Sequence, residues 1–308
     1  MSEERSTTRP YRLPAELLID TDVARRIIRE FIRGQLEQTG FTKLILALSG
    51  GIDSALVAYL AVEAIGADKL LCLMLPYRTS SPESRGDAED VARRLGTPSR
   101  VIDISAIVDG YLDSSIEGEE VSQLRRGNLA ARARMIVLYD QSVPWQGLVI
   151  GTGNKTEALL GYTTQYGDNA NAFNPIGDLY KSQVRQLSAE MGVPDSILDK
   201  PPSADLWAGQ TDEQELGLAY DELDRLLYWM VDRRFTDEQL VAKGFDLKHI
   251  ERIQRQIARS EFKRQVPPVA KLTTRTPGLP FAPATACCTS EPVAMTMASR
   301  GAVSFTRM

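Results

Sequence analysis

The chain has a single histidine, His249, three cysteines, and no apolar run approaching the length of a membrane span. Each scarcity closes off a class of chemistry. A histidine general base is excluded unless that one residue lies in the site. Two of the cysteines are adjacent, Cys287 and Cys288, so the three make neither a disulfide framework nor a zinc site. The third, Cys72, lies in the apolar stretch Leu70–Leu75 and reads as core. Sparse cysteine fits a reducing, cytoplasmic setting. The polar start Ser2-Glu3-Glu4-Arg5 does not read as a signal peptide, and no membrane attachment is expected. Positive charge is not in excess either. The formal net charge is -5, which gives no support for a nucleic-acid partner.

What is present is the composition of a globular protein, 43% hydrophobic and 25% charged over 308 residues. That length suits one large α/β domain with appendages. The most informative stretch is Leu46-Ala47-Leu48-Ser49-Gly50-Gly51-Ile52-Asp53-Ser54. An apolar strand stops at Ser-Gly-Gly and passes directly into a helical pattern. Adjacent glycines allow a sharp turn and bring backbone N–H groups close to a ligand. The helix that follows aims its partly positive end at the same place. Ser49 and Ser54 add hydroxyls, and Asp53 adds a carboxylate able to hold magnesium beside a bound anion. This is a phosphate cradle without the Gly-Lys-Ser/Thr ending of the Walker loop. Ser-Gly-Gly-x-Asp-Ser after a strand resembles the loop of the ATP pyrophosphatases.

Residues 1–17 read as a loose polar arm, and Thr21 to Gln38 as a helix with apolar positions at helical spacing. Strands are expected over Lys43–Leu48, Leu70–Leu75, Arg100–Ile104 and Gly147–Gly151. Helices are expected at about 54–66 and 83–96 and from Val121 to Gln141. Such alternation implies βαβ units, hence a doubly wound, mostly parallel sheet with ligands at the carboxyl ends of its strands. Further helices are expected over Lys181–Met191, Glu215–Met230, Thr236–Lys243 and Asp246–Phe262, with Thr236 and Asp246 as N-caps. Lys200–Asp212 reads as a loop that orders on binding. Residues 273–308 have no period, few charges and much Pro, Thr, Ala and Ser, and are expected to be a disordered tail, leaving 18–272 as the domain.

A second strand–glycine–helix run, Val149 to Glu157, is expected to end beside the first loop, where Glu157 can share a metal with Asp53 or simply complement its own helix start. Polar, glycine-broken loops follow over Gly161–Asp168 and Asn174–Lys181. Lys181 opens a helix, where a cation opposes the macrodipole, a placement that makes sense if its ammonium faces phosphates.

Together with Leu124–Asn128, Ala131–Met135, Pro202–Trp207 and Ser260–Arg264, these runs resemble the ammonia-dependent NAD synthetases from the first helix to about residue 270. The resemblance implies an adenine nucleotide α-hydrolase-like fold and ATP-dependent amidation of deamido-NAD by ammonia through an adenylate, releasing AMP and pyrophosphate. It places ATP on Leu48, Ser49, Gly50, Gly51, Ile52, Asp53 and Ser54, with Thr152, Lys181 and Ser203. Magnesium falls to Asp53 and Glu157. Arg132, Gln165, Ala172, Phe262 and Lys263 fall at deamido-NAD positions. Asp168 is a candidate for orienting or deprotonating ammonium, or for bracing its own loop. The resemblance also implies a homodimer built around helices such as Thr21–Gln38, whose Phe31 and Ile32 are large and apolar.

The chain departs from the commonest pattern on the acceptor side. Gln165 stands where many members have lysine, Ala172 where many have aspartate, and Phe262 where a histidine often precedes the lysine. An amide still hydrogen-bonds but carries no charge, and alanine does neither. No segment with a cysteine nucleophile for glutamine hydrolysis is recognisable, so free ammonia, or ammonia from a separate protein, is expected. Two rivals share parts of this pattern. A tRNA-modifying pyrophosphatase would want basic RNA-facing patches. A non-catalytic nucleotide-binding module would have no need of Glu157, Lys181 and the Ser203 loop together.

Overall fold

The structure is a computed structural model that describes residues 13–115, 121–201, 217–270 and 272. Its centre is a parallel sheet of β1 (Lys43–Ala47), β2 (Leu70–Met74), β3 (Ser99–Val101) and β4 (Gly147–Val149), in the order β3-β2-β1-β4. Alternate residues of β1 and β2 point to opposite layers, which explains why those two strands read as continuous apolar runs, whereas β3, Ser-Arg-Val, is exposed. Leu44, Leu46, Leu70, Cys72 and Met74 enter one core, with helices α1 (Thr21–Thr39), α2 (Ile52–Ile65) and α3 (Pro82–Leu95). Ile45, Leu71 and Leu73 enter the other, with α4 (Ser105–Ser115) and α5 (Gln123–Trp145). Helix α2 buries Ala55, Leu56, Val57, Ala58, Leu60 and Ala61, so it is apolar around most of its circumference. Cys72 is buried, and burial pushes its thiol up to about 11, as suits a core residue rather than a reactive one.

The strand order reverses between β1 and β4. Chain leaving β1 crosses to β2, while β4 pairs on the other flank with Lys43 opposite Gly147 and Ile45 opposite Val149. That arrangement opens a crevice at the carboxyl ends of β1 and β4, where the two glycine-bearing loops emerge. Helix α6 (Lys155–Leu160) follows the β4 loop, and Ile150 bridges to Phe173 beyond it. Helices α7 (Lys181–Glu190) and α8 (Asp195–Leu198) come next.

A third core forms between α6 and the C-terminal helices α9 (Tyr220–Leu227), α10 (Asp237–Ala242) and α11 (Leu247–Ser260). Thr236 and Asp246 cap their helices, each accepting a backbone N–H two or three residues on. Several boundaries differ from the sequence expectation. Helix α2 starts two residues earlier, with Gly51 as its N-cap. The helix expected from Glu215 begins at Tyr220 within the described residues, and a π-helical turn, Tyr228–Asp232, ends it. The third strand closes at Val101, although Ile102 and Ile104 still donate to Met74 and Pro76. Helix α4 follows it without an anticipated sequence signal.

The inner end of the expected loose arm is fixed. Leu17 is buried in the C-terminal core, and Glu16 accepts from Arg225 and Trp229. The remainder of that arm, the 273–308 segment and most of the Lys200–Asp212 loop lie outside the described residues. Among the described residues, no helix is long and apolar enough to cross a membrane.

Candidate active site

The turn after β1 is held open by its own serines. Ser49 Oγ accepts the Gly51 N–H at 3.2 Å and lies 3.1 Å from Ser54 Oγ, while Ser54 donates to the Gly51 carbonyl at 3.0 Å. Gly50 adopts φ +80°, and a Cβ there would lie 1.9 Å from the Ser84 carbonyl oxygen at the start of α3. Only glycine satisfies both conditions. No side chain caps the start of α2, because its N-cap is glycine. The first-turn N–H groups therefore face the crevice as anion donors.

The loop after β4 is organised by Asn154, which is fully buried. Its Oδ1 accepts the Glu157 N–H at 3.0 Å, and Glu157 Oε2 accepts the Asn154 N–H at 3.2 Å, forming a capping box. Asn154 Nδ2 also donates to Asp53 Oδ1 at 3.0 Å. One residue thus holds both carboxylates, Asp53 through its side-chain NH2 and Glu157 through its backbone N–H. Glu157 complements its own helix start and also lines the cavity.

Lys181, the first residue of α7, is only 4% exposed. Its ammonium lies 2.5 Å from Asp53 Oδ2 and 3.5 Å from Glu157 Oε1. The unfavourable placement of a cation at a helix start is offset by two carboxylates. Asp53, Glu157 and Lys181 therefore converge on one point although they come from three separate stretches of chain. Two hard carboxylate oxygens facing one position suit a divalent cation that takes its other oxygens from phosphate and water. Among the described residues no group of three or more His, Cys, Asp and Glu could hold a metal unaided.

These residues form the polar end of a cavity of about 550 Å³. Leu48, Ser49, Gly51, Asp53, Ser54, Thr152, Glu157 and Lys181 line it there. Leu73, Leu75, Met135 and Leu138 supply an apolar wall, and Arg134 reaches across it to the Leu75 carbonyl at 3.0 Å. Thr163, Thr164, Asp168 and Lys263 complete the rim. Asp168 Oδ1 accepts the Thr164 N–H at 2.7 Å, so it braces its loop as well as facing the cavity. Surrounding protein pushes its carboxyl above the ordinary value, against hydrogen bonds and the Lys263 charge, although its cavity side stays open to water. Lys263 clasps the Gly161 and Thr163 carbonyls, both at 2.7 Å, and burial lowers its ammonium below the usual lysine range.

The remaining expected site residues lie elsewhere. Gly50 and Ile52 are buried behind the loop and do not line the cavity. Arg132 is exposed and donates to the Gln165 carbonyl at 3.3 Å, which brings that pair together outside the lining. Ala172 and Phe262 are exposed and outside it too. Ser203 falls outside the described residues. Sequence patterns assign no role to Asn154, Ser84 or Arg134. Only the N-cap position of Asn154, three residues before a glutamate, carries a readable signal.

A doubly wound parallel sheet, with its β1 and β4 loops sharing one carboxylate-bearing cavity, defines a nucleotide-binding protein of the adenine nucleotide α-hydrolase-like fold. The family model described as NAD synthase matches residues 24–267, and the chain belongs to that family. It is 50% identical over 262 residues to an NH(3)-dependent NAD(+) synthetase of Trichlorobacter lovleyi, covering 85% of this chain and 95% of that one. Among solved structures it is similar to the NH3-dependent NAD synthetase of Campylobacter jejuni, with a TM-score of 0.70 and 31% identity over 82% of this chain and 100% of that chain. It is also similar to an NMN synthetase from Francisella tularensis, with a TM-score of 0.72 and 32% identity over 82% of this chain and 99% of the other.

Proposed function

We propose that the chain amidates deamido-NAD with ammonia at the expense of ATP, giving NAD, AMP and pyrophosphate. The observation that carries this reading is the convergence of Asp53, Glu157 and Lys181 at the mouth of the Ser49–Ser54 turn, in a chain half identical to a named NH(3)-dependent NAD(+) synthetase. ATP lies with its phosphates on the turn and the start of α2, near Thr152 and Lys181, and with its base toward the apolar wall. A carboxylate oxygen of the nicotinate ring attacks the α-phosphorus, and the bond to the bridging oxygen breaks to release pyrophosphate. Ammonia then adds to the activated carbonyl carbon, AMP leaves with the former carboxylate oxygen, and a proton is lost from nitrogen. The protein's part is alignment and charge neutralisation.

Magnesium fits the two carboxylates, and Asp53 and Glu157 would hold it. When bound it neutralises phosphate oxygens. Lys181 supplies a fixed positive charge at the same point. Asp168, whose carboxyl lies above the ordinary value, lines the cavity and would orient or deprotonate the incoming ammonium. Lys263, Arg132 and Gln165, with Ala172 and Phe262 beyond them, are assigned to the acceptor side, and Ser203 to ATP. The working domain is assigned to 18–272 together with the preceding Glu16 and Leu17, which pack onto it, and the family match covers 24–267. It acts as a homodimer. Val23, Ile27 and Phe31 on α1, and Leu124, Ile136 and Val143 on α5, are large apolar residues left exposed in the single chain. Ile32 is not among them, since it is buried in the chain's own core.

The test is to incubate the chain with labelled ATP, magnesium and ammonium and to ask which acceptor supports pyrophosphate release. Deamido-NAD is expected to give NAD and AMP in equal amounts. Release with nicotinate mononucleotide in preference to the dinucleotide would correct the acceptor, and release with neither would overturn the reading.

A further inference from the structure

Asp224, on α9, is fully buried in a layer otherwise built of leucine, isoleucine and aromatic side chains. A carboxylate at that depth is costly unless each oxygen is hydrogen-bonded. Both are. Thr156 Oγ1 donates to Oδ1 at 2.6 Å, and the Ser182 N–H donates to Oδ2 at 2.8 Å. The same Thr156 hydroxyl accepts the Lys181 N–H at 3.0 Å. Thr156 immediately precedes Glu157 on α6, and Ser182 immediately follows Lys181 on α7. One carboxylate therefore ties together the first turns of the two helices that present the site's glutamate and lysine. Four residues before Asp224, Tyr220 sets its ring 5.7 Å from the Lys181 ammonium, a second contact from the same helix.

We infer that Asp224 is a positioning residue, holding Lys181 and Glu157 at their mutual distance through Thr156 and the Ser182 amide; this rests on the amidation reading above. An apolar side chain of similar size would fill the space without the desolvation cost. It could not fix a hydroxyl and a backbone N–H on different helices at once. Burial pushes the Asp224 carboxyl up to about 6, against the two hydrogen bonds and the Lys181 charge, so it remains mostly ionised at neutral pH and accepts from both donors.

The experiment compares Asp224→Asn, Thr156→Val and Thr156→Ser with the unaltered chain. Asp224→Asn keeps the size but leaves one of the two donors facing an amide NH2. Its kcat is expected to fall by about 10-fold to 100-fold, the scale on which misplacement by about 1 Å acts, while KM for ATP stays within about threefold. Thr156→Val removes the shared hydroxyl and should show the same split, and Thr156→Ser should restore the rate. The double variant Asp224→Asn with Thr156→Val should be no slower than the slower single, because both break one link. A readout independent of turnover is amide hydrogen exchange, which should quicken at Ser182 in Asp224→Asn and stay unchanged at Val57 in α2. If the unaltered chain does not amidate deamido-NAD, the functional reading falls while the exchange measurement still judges the tie. Should Asp224→Asn fail to fold, the Thr156 pair decides by itself. Thr156→Val at the wild-type kcat, or Ser182 exchange untouched in a folded Asp224→Asn, would overturn the inference.

Discussion

The carboxylate cluster in the cavity and the residues proposed for the acceptor are built on different plans. At the polar end Asn154 aligns both carboxylates, and Asp53 in addition pairs with Lys181. These groups come from strand ends and helix starts of the rigid sheet. Among the residues proposed for the acceptor, Arg132 and Gln165 are joined by a single 3.3 Å contact outside the cavity lining, and Ala172 and Phe262 stand exposed. Preorganised charge belongs where the reaction develops charge, at the phosphorus and its leaving group. Three of these four, Arg132, Ala172 and Phe262, are exposed. The chain's departures from the commonest family pattern fall among the residues proposed for the acceptor.

Substitutions can break this contrast. Asp53→Ala should have the largest effect. Loss of a ligand for a Lewis-acid metal removes several kcal/mol, equivalent to about 1,000-fold or more in kcat, and the melting temperature should fall as well, because the buried Lys181 ammonium and Asn154 amide lose their partner. Turnover within tenfold of wild type in saturating magnesium would take Asp53 out of the chemistry.

Gly50→Ala comes next. The added methyl meets the Ser84 carbonyl, and the left-handed backbone disfavours any Cβ. Strain of about 1–2 kcal/mol for the conformation and about 1–3 kcal/mol for the overpacking should lower the urea midpoint and the rate together. An unchanged midpoint would show that α3 can retreat from the turn.

Lys263→Met keeps the stem and loses three donors. Hydrogen bonds to charged groups are worth about 1.5–3 kcal/mol, so KM for the acceptor should rise by roughly tenfold with KM for ATP unaltered. A fall in melting temperature without any change in acceptor KM would make this lysine a clasp for the Gly161–Thr163 loop alone. Gln165→Ala should have the smallest effect. A neutral hydrogen bond contributes about 0.5–1.5 kcal/mol, so acceptor KM should shift by no more than about tenfold and melting hardly at all. A kcat loss rivalling that of Asp53→Ala would abolish the distinction between the two groups.

Much of the sheet and of the polar end is legible in the order of residues. Apolar runs separated by helical periods indicate the parallel sheet, because strands covered on both faces need no polar alternation. The glycine pair after β1 and the Asn154–Glu157 spacing mark the two loops, since tight turns and helix starts depend on residues adjacent in sequence. Less legible are the ends of elements. The start of α9 at Tyr220 and the π-turn that closes it reflect packing against Leu17 and Tyr180, which no local pattern encodes.

The doubly wound core, the glycine turn after β1 and the carboxylates of Asp53 and Glu157 are readable in the order of residues, because all depend on short-range chemistry. Tertiary structure alone decided that Lys181 lies between Asp53 and Glu157, that Asn154 holds both carboxylates, and that Asp224 ties together the helices bearing Glu157 and Lys181. Asp53, Asn154, Lys181 and Asp224 are spread over more than 170 positions of the chain. A buried charge reveals its purpose only through the partners that satisfy it, and those partners are chosen by how layers of sheet and helix close on one another.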